Sequence, residues 1–124
     1  RIIENPSHSA KGKNPLCGDQ LSVFILESNG IIKDISFIGS GCAISKASGS
    51  IMTSTLKGKT IIEAKNIFNQ FHTLVTTGES NNDLGKISVL GGVHKYPARV
   101  KCASLAWHTF QGAINNSDES IKTE

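Results

Sequence analysis

The chain has 124 residues, of which 38% are hydrophobic, and a formal net charge of +3 at pH 7. This length predicts a single domain that can bury a core of its own. Basic residues are scattered and aromatic residues make up 6% of the chain, which argues against a nucleic-acid-binding surface built from clustered cations and stacking rings. No apolar run approaches membrane-spanning length. We therefore expect protein partners, and neither nucleic acid nor a membrane.

The cysteine content indicates the compartment. The chain has three cysteines, so at least one of them cannot form a disulfide within the chain. The sequence does not open with a basic start followed by an apolar run, as a secretion signal does. Together these features predict a reducing compartment, and a cytoplasmic location is the simplest expectation.

Composition divides the chain into three predicted segments. Residues 1–13 combine a proline, serines, a glycine and lysines without clear periodicity, and they are predicted to form an irregular arm. Residues 14–116 are expected to form the domain. Residues 117–124 are polar and charged, and are predicted to be a frayed tail.

A tight turn with two metal-binding side chains opens the domain. Residues 14–19 read NPLCGD, which places a thiol and a carboxylate two positions apart. Pro15 disfavours helix at the residue before it, and Gly18 allows a sharp bend. Cys17 and Asp19 can therefore point at one spot.

A β-hairpin is predicted next. The β-branched and apolar runs at 21–26 and 31–38 are separated by a segment that contains Asn29-Gly30, a dipeptide typical of a type I′ turn. In a hairpin, the start of one strand lies beside the end of the next. This topology should bring Cys17, before the first strand, close to Cys42, after the second.

The first predicted helix follows that hairpin. Ser40 is a suitable N-cap, so that Cys42 falls in the first turn of a helix that continues to about Leu56. Free backbone amides at a helix N-terminus favour a thiolate. Helical spacing indicates that the helix packs against the sheet through Ile44, Ala47 and Ile51.

Further helices complete the predicted elements. Thr60 and Glu63 have the spacing of a capping box, which opens a second long helix. Residues 84–90 suggest a short helix, and Pro97 is well placed as the first residue of the last helix. The buried stripe of that last helix is expected to comprise Val100, Ala103, Trp107, Phe110 and Ile114.

Three thiols and one carboxylate form a plausible ligand set. Cys17, Cys42, Cys102 and Asp19 lie in three separate segments, and zinc accepts three sulfurs and one oxygen in a tetrahedral site. The same thiols could hold an iron–sulfur cluster, with the oxygen ligand making one corner labile. A third possibility is three buried free cysteines that act as small hydrophobic residues. Cys-x-x-Cys pairs are absent, which excludes a local zinc finger.

Residues 14–19, 41–48 and 96–107 resemble the three signature segments of the U-type iron–sulfur cluster assembly proteins. This family includes the scaffold IscU, the N-terminal part of NifU, and SufU. The resemblance implies an α+β fold in one domain, with a small antiparallel β-sheet packed by several α-helices. It also implies that the three cysteines meet Asp19 at one exposed end of the molecule.

Within this family the chain is most similar to SufU. Lys101 stands directly before Cys102, where the IscU branch has histidine, and the stretch between Cys42 and Cys102 is long, as in SufU. The resemblance implies a zinc ion held by the three cysteines and Asp19, and persulfide sulfur taken from a SufS-type cysteine desulfurase. Downstream iron–sulfur assembly proteins are the implied recipients.

Two alternatives remain at this point. One is a scaffold on which a labile iron–sulfur cluster is assembled on Cys17, Cys42 and Cys102 and then transferred. The other is an interaction module with purely structural zinc. A hydrolase with a Cys–His pair ranks last, because neither His94 nor His108 has an orienting partner evident in the sequence.

Two residues receive specific roles in the first interpretation. Cys17 is expected to accept the persulfide sulfur, because a flexible turn can leave a metal more easily than a helix-borne ligand can. Arg99 lies three residues before Cys102 on the last helix, and is expected to balance the charge of the anionic site. Such a protein is a sulfurtransferase-like partner of the desulfurase and not a stand-alone enzyme.

Overall fold

The computed structural model describes residues 2–14, 18–78 and 92–115 and the backbone of residues 121–122. Strands β1 to β3 form an antiparallel sheet, and a two-residue strand β4 pairs parallel to β1, in the order β3-β2-β1-β4. The predicted α+β architecture with a small antiparallel sheet and several helices is confirmed. The elements are β1 (His8–Asn14), β2 (Asp19–Ser28), β3 (Ile31–Ser40), α1 (Ala43–Leu56), α2 (Ile61–Thr77), α3 (Pro97–Ile114) and β4 (Ile121–Lys122).

The predicted hairpin between β2 and β3 is confirmed. Asn29 and Gly30 have φ angles of 55° and 77°, as a type I′ turn requires. At the other end of the hairpin, Gln20 pairs with Ser40. The register therefore places Asp19, at the start of β2, beside the chain that leads from β3 into α1.

Strand β1 corrects the prediction of an irregular arm. Residues from His8 onwards pair with β2, and the side chains alternate, with Lys11 and Lys13 exposed while Gly12 and Asn14 are buried. The residues at the inward-facing positions are small or polar. The sequence of β1 therefore lacks the alternation of large hydrophobic and polar residues that indicates a strand. Gly12 is required there, because a Cβ atom would overlap the Thr109 side chain on α3. Strand β4 likewise lies within the segment that was predicted to fray.

Helix α3 is the central element of the fold. It starts at Pro97 as predicted, but it is buried around most of its circumference, because it packs against both the sheet and the other helices. Val100 and Ile114, which were expected in the buried stripe, are only half-buried. The Trp107 ring stacks on Phe71 of α2 with their centroids 4.3 Å apart. None of the helices in the described ranges is both long and apolar enough to cross a membrane.

Helix α2 begins with the predicted capping box. The Thr60 hydroxyl accepts a hydrogen bond from the Glu63 N–H, and the Glu63 carboxylate accepts one from the Thr60 N–H, each at 3.0 Å. The short helix predicted at residues 84–90 lies outside the described residues.

Helix α1 buries a different face from the predicted one. Ala47 is exposed, and Ile44 and Ile51 are only half-buried. Small residues allow a close approach to α3 and β3, and this contact outweighs the apolar pattern. The Phe37 ring leaves no room for a Cβ atom at Gly49, with the nearest ring atom at 2.9 Å. The buried residues of α1 are Ser45, Ser48, Gly49, Met52 and Leu56.

Candidate metal centre

The ends of four elements meet at one edge of the fold. Asn14, the last residue of β1, pairs with Asp19, the first residue of β2. Both side chains are buried, with exposed fractions of 0% and 1%. Cys42 precedes α1 and Cys102 lies in the second turn of α3. Cys17 belongs to the connection between β1 and β2, and it lies outside the described residues.

Asp19 links β2 to the start of α1. Its Oδ1 atom accepts a hydrogen bond of 2.7 Å from the backbone N–H of Cys42, and its Oδ2 atom lies 3.9 Å from the Cys42 Sγ atom. A Cβ atom at Gly41 would overlap the Asp19 carboxylate. Glycine before the cysteine therefore permits the close approach of carboxylate and thiol.

Cys42 is itself the N-cap of α1, which corrects the prediction that Ser40 would be the cap. The Cys42 sulfur accepts a hydrogen bond of 3.4 Å from the Ser45 N–H. The chain is still in strand β3 at Ser40, so the N-cap lies two residues later, at Cys42, and the helix begins at Ala43. An N-terminal amide that points at the sulfur favours a thiolate there.

Cys102 is buried, with 4% of its surface exposed. The Nδ2 atom of Asn14 donates a hydrogen bond of 3.6 Å to its sulfur. The Oδ1 atom of Asn14 is buried and has no hydrogen-bond partner within the described residues. Such an unpaired amide oxygen costs about 1–3 kcal/mol.

A buried hydrogen-bond network sets the spacing between the two cysteine-bearing helices. The Ser48 hydroxyl on α1 donates to the backbone oxygen of Ala103 at 2.5 Å, and it accepts from the indole N–H of Trp107 at 3.0 Å. Ala103 directly follows Cys102. The network therefore fixes Cys102 relative to the helix that Cys42 caps.

The three described candidates are close enough to share one metal ion. One ligand atom from each of Asp19, Cys42 and Cys102 lies within 4.8 Å of the other two. A tetrahedral zinc ion with Zn–S of about 2.3 Å and Zn–O of about 2.0–2.2 Å places its ligands about 3.5–3.8 Å apart. Small side-chain movements would reach that spacing, so the donor set fits zinc.

Arg99 lies on the exposed side of the same region. Its guanidinium carbon is 5.8 Å from the centroid of the Tyr96 ring. Both residues line an open groove of about 510 Å³, together with Ile44, Gly92 and Val93. Ile44 is two residues after Cys42, so this groove adjoins the candidate metal centre.

His94 and His108 were the candidate histidines for a hydrolase. His108 packs against α2, and His94 lies at the end of that helix. The His108 ring centroid is 5.5 Å from that of Phe68 and 6.2 Å from that of His72. Burial, and then the nearby His72, lower the pKa of His108 below its usual value. The His94 ring packs over Gly78 at the end of α2.

Sequence reasoning missed Asn14 and Ser48 as parts of this region. Asn14 lies in the first signature segment, but it was assigned no role at the site from the sequence. Its inward position would have been evident if the alternation of β1 had been recognised. Ser48 lies in the second signature segment, but its role was not evident from the sequence, because its partners Ala103 and Trp107 are more than 50 positions away.

Comparison with known proteins gives a consistent result. Residues 2–117 match the model of the NifU-like N terminal domain. The chain is 40% identical over 114 residues to the zinc-dependent sulfurtransferase SufU of Bacillus subtilis (strain 168), covering 90% of this chain and 78% of the relative. It is 41% identical over 106 residues to the iron–sulfur cluster assembly scaffold protein IscU of Streptococcus pyogenes serotype M1, covering 84% and 67%.

A solved structure has the same fold. The crystal structure of FiSufU from Fervidobacterium islandicum AW-1, described as a scaffold of iron–sulfur cluster assembly for the SUF system, superposes with a TM-score of 0.86. The two chains are 36% identical, and the match covers 90% of this chain and 83% of that one.

Proposed function

Since the chain belongs to the family of NifU-like N-terminal domains, we propose that it is a zinc-dependent sulfur acceptor in iron–sulfur cluster assembly. Its sulfur donor is a SufS-type cysteine desulfurase, and its location is cytoplasmic. The observation that carries the proposal is the convergence of Asp19, Cys42 and Cys102 within 4.8 Å. The similarity to a relative named as a zinc-dependent sulfurtransferase supports it.

Zinc is held by Cys17, Asp19, Cys42 and Cys102 in this proposal. The ion supplies Lewis acidity that keeps the thiols deprotonated while shielding them from unwanted reactions. Four protein ligands fill the coordination shell of zinc, as they do in a structural site, but Cys42 is only half-buried. This exposure favours an exchangeable site that a partner can reach.

Three of the four ligands are anchored by the fold. Asp19 and Cys102 are buried, and Cys42 is held by hydrogen bonds to its backbone N–H and its sulfur. Cys17 instead precedes Gly18, which has a φ angle of 70° typical of a turn. We therefore assign Cys17 as the acceptor thiol.

Sulfur transfer is a thiol–persulfide exchange. The Cys17 thiolate attacks the terminal sulfur of the persulfide on the desulfurase. A new S–S bond forms to Cys17, the S–S bond of the donor breaks, and the donor cysteine leaves as a thiolate. No external oxidant or reductant is required. The protein then passes the sulfur to downstream iron–sulfur assembly proteins.

The experiment that tests this function measures cysteine turnover by a SufS-type desulfurase. The assay compares the zinc-loaded protein, the metal-free protein and the Cys17→Ser variant. We expect only the zinc-loaded protein to accelerate turnover. Cys17→Ser should abolish acceleration, because a serine hydroxyl cannot carry a persulfide near neutral pH. Greater stimulation by the metal-free protein would reject the proposal.

A scaffold for iron–sulfur cluster assembly is the second candidate. It is favoured by the same donor set, since cysteine thiolates bind iron and an oxygen ligand can make one corner labile. Its similarity to a relative named as an IscU scaffold adds support. In this case zinc should inhibit, and iron with sulfide should generate a visible chromophore that Cys42→Ser and Cys102→Ser abolish.

A further inference from the structure

Asn14 is a buried polar residue at the candidate metal centre that the proposed function leaves without a role. It is fully buried, although inward strand positions are usually apolar. Its Oδ1 atom has no partner within the described part of the chain. Leucine, of similar size, would avoid burying that unpaired oxygen, so that the amide calls for an explanation other than packing.

Each of the two described thiols accepts a hydrogen bond from an N–H group. The sulfur of Cys42 accepts from the backbone of Ser45 at 3.4 Å, and the sulfur of Cys102 accepts from Asn14 Nδ2 at 3.6 Å. Any residue at position 45 except proline would supply the backbone N–H that donates to Cys42. The donor to Cys102 is a side-chain amide, so it depends on asparagine at position 14. Asn14 also lies opposite Asp19 at the last pair of β1 and β2, so the sheet holds the donor in place.

A hydrogen bond to a metal-bound thiolate has two effects. It orients the sulfur toward the metal, as hydrogen bonds to other metal ligands do. It also withdraws electron density from the sulfur, which makes the thiolate a weaker nucleophile. A cysteine with such a donor is suited to remain a ligand while another cysteine reacts.

We propose that Asn14 is a positioning residue that retains Cys102 on the metal, so that the incoming sulfur is directed to Cys17. This inference rests on the proposed function, because it requires a metal at the centre. Without the Asn14 amide, the Cys102 thiolate would be held less firmly as a metal ligand. It would then compete with Cys17 for the terminal sulfur of the donor persulfide in the same exchange reaction.

The test uses the full chain with Asn14→Leu, which removes the donor and the unpaired oxygen together. Asn14→Ser, whose side chain is too short to reach the sulfur, is the second variant in case leucine prevents folding. Ser36→Ala is the matched control, because Ser36 is buried and also has an unpaired oxygen, but it lies in the middle of β3. Folding is verified by circular dichroism.

Three quantities are measured. We expect the zinc dissociation constant, from competition with a chelator, to rise about 10-fold or more in the Asn14 variants. In cobalt-substituted protein, the sulfur-to-cobalt charge-transfer band should move to longer wavelength, because the sulfur regains electron density. Mass spectrometry after reaction with a desulfurase should find persulfide on Cys102 as well as on Cys17. Ser36→Ala should match the wild type in all three.

The outcomes separate this inference from the proposed function. Folded Asn14 variants with wild-type zinc affinity and an unmoved cobalt band would overturn the role of Asn14 alone. Weaker zinc binding with an unmoved band would show a merely structural role, and would also overturn it. A wild-type protein that binds neither zinc nor cobalt would reject the proposed function and this inference with it.

Discussion

Arg99 is exposed and lies three residues before the candidate ligand Cys102 on α3. Three thiolates and one carboxylate around a divalent ion leave a net charge of about −2, which a nearby cation can balance. We predict that Arg99→Ala lowers desulfurase stimulation by about 10-fold. Its free energy of unfolding should change by no more than about 0.5 kcal/mol, because the side chain is exposed.

The Arg99 prediction is checked by desulfurase turnover and by urea denaturation. Lys65→Ala is the control, because it removes the same charge from an exposed position on α2. If Arg99→Ala stimulated the desulfurase as well as Lys65→Ala does, Arg99 would have no special role at the centre.

His108 makes stability depend on pH. Burial, with a smaller contribution from His72, lowers its pKa in the folded protein. Between the folded pKa and the ordinary value of about 6.5, the unfolded chain binds more protons than the folded one. The free energy of unfolding should therefore fall as the pH drops below about 6.5.

Urea denaturation between pH 5 and pH 8 tests this dependence. His108→Gln should reduce its slope below about pH 6.5, and His72→Gln should reduce it less. An unchanged slope in His108→Gln would assign the pH dependence to other groups.

Most of the candidate metal centre could be predicted from the types of residue in the sequence. Asn14 and Ser48 are the exceptions, and both were missed for the same reason. Asp19, Cys42 and Cys102 have side chains that commonly bind metals, so their residue types identify them as candidate ligands. Glycines next to Asp19 and Cys42 indicate turns at these positions. Asn14 and Ser48 are common polar residues whose importance arises from partners far away in sequence. Both residues lie in the signature segments, but their roles depend on contacts with distant residues that the local sequence does not specify. The role of Cys17 stays a prediction.

Local sequence signals predicted the helices and turns reliably where the backbone itself requires particular residues. The Asn29-Gly30 turn, the Thr60 capping box and the start of α3 at Pro97 are of this kind. Strand β1 was missed because Gly12 and Asn14 occupy inward positions that apolar residues normally fill. The buried face of α1 was missed because close contact with α3 selects small residues there over isoleucine.

The contact between α1 and α3 is expected to depend on Ser48. Ser48→Ala removes the acceptor of the Trp107 indole N–H and the donor to Ala103. We predict a loss of about 1–3 kcal/mol in the free energy of unfolding of the metal-free protein, because buried polar groups lose their partners. Urea denaturation measures this loss.

Ser54→Ala provides the comparison for Ser48→Ala. Ser54 is exposed on the same helix, and its hydroxyl donates to the Ile51 backbone oxygen, so its replacement should cost no more than about 0.5 kcal/mol. Equal effects of the two substitutions would show that the buried network does not stabilise the helix pair.

For the whole molecule, charge is distributed unevenly along the sheet. In the described ranges, Glu27, Asp34 and Glu63 near the β2–β3 turn and the start of α2 are balanced in number by Lys33, Lys57 and Lys59, and the Nζ atom of Lys57 lies 3.6 Å from Oδ1 of Asp34. The elements that end at the candidate centre, and the residues just before α3, carry basic residues close in sequence to the candidate ligands. These are Lys13, Lys46, Lys95, Arg99 and Lys101. Asp19 is buried among the candidate ligands, so the exposed charges described around the centre are positive.

This distribution predicts electrostatic docking to an acidic surface around the active site of the desulfurase. Lys46 is exposed four residues after Cys42, and Lys46→Glu should raise the concentration for half-maximal stimulation roughly 10-fold at low ionic strength, because like charges oppose encounter. Lys65→Glu makes the same charge change on α2 and should have little effect. Salt at about 0.5 M should narrow the difference between the two variants, since screening shortens the range of exposed charges. Desulfurase turnover is measured across a salt series. If the concentration of Lys46→Glu for half-maximal stimulation stayed equally high at high salt, a lost contact and not electrostatic steering would explain the effect.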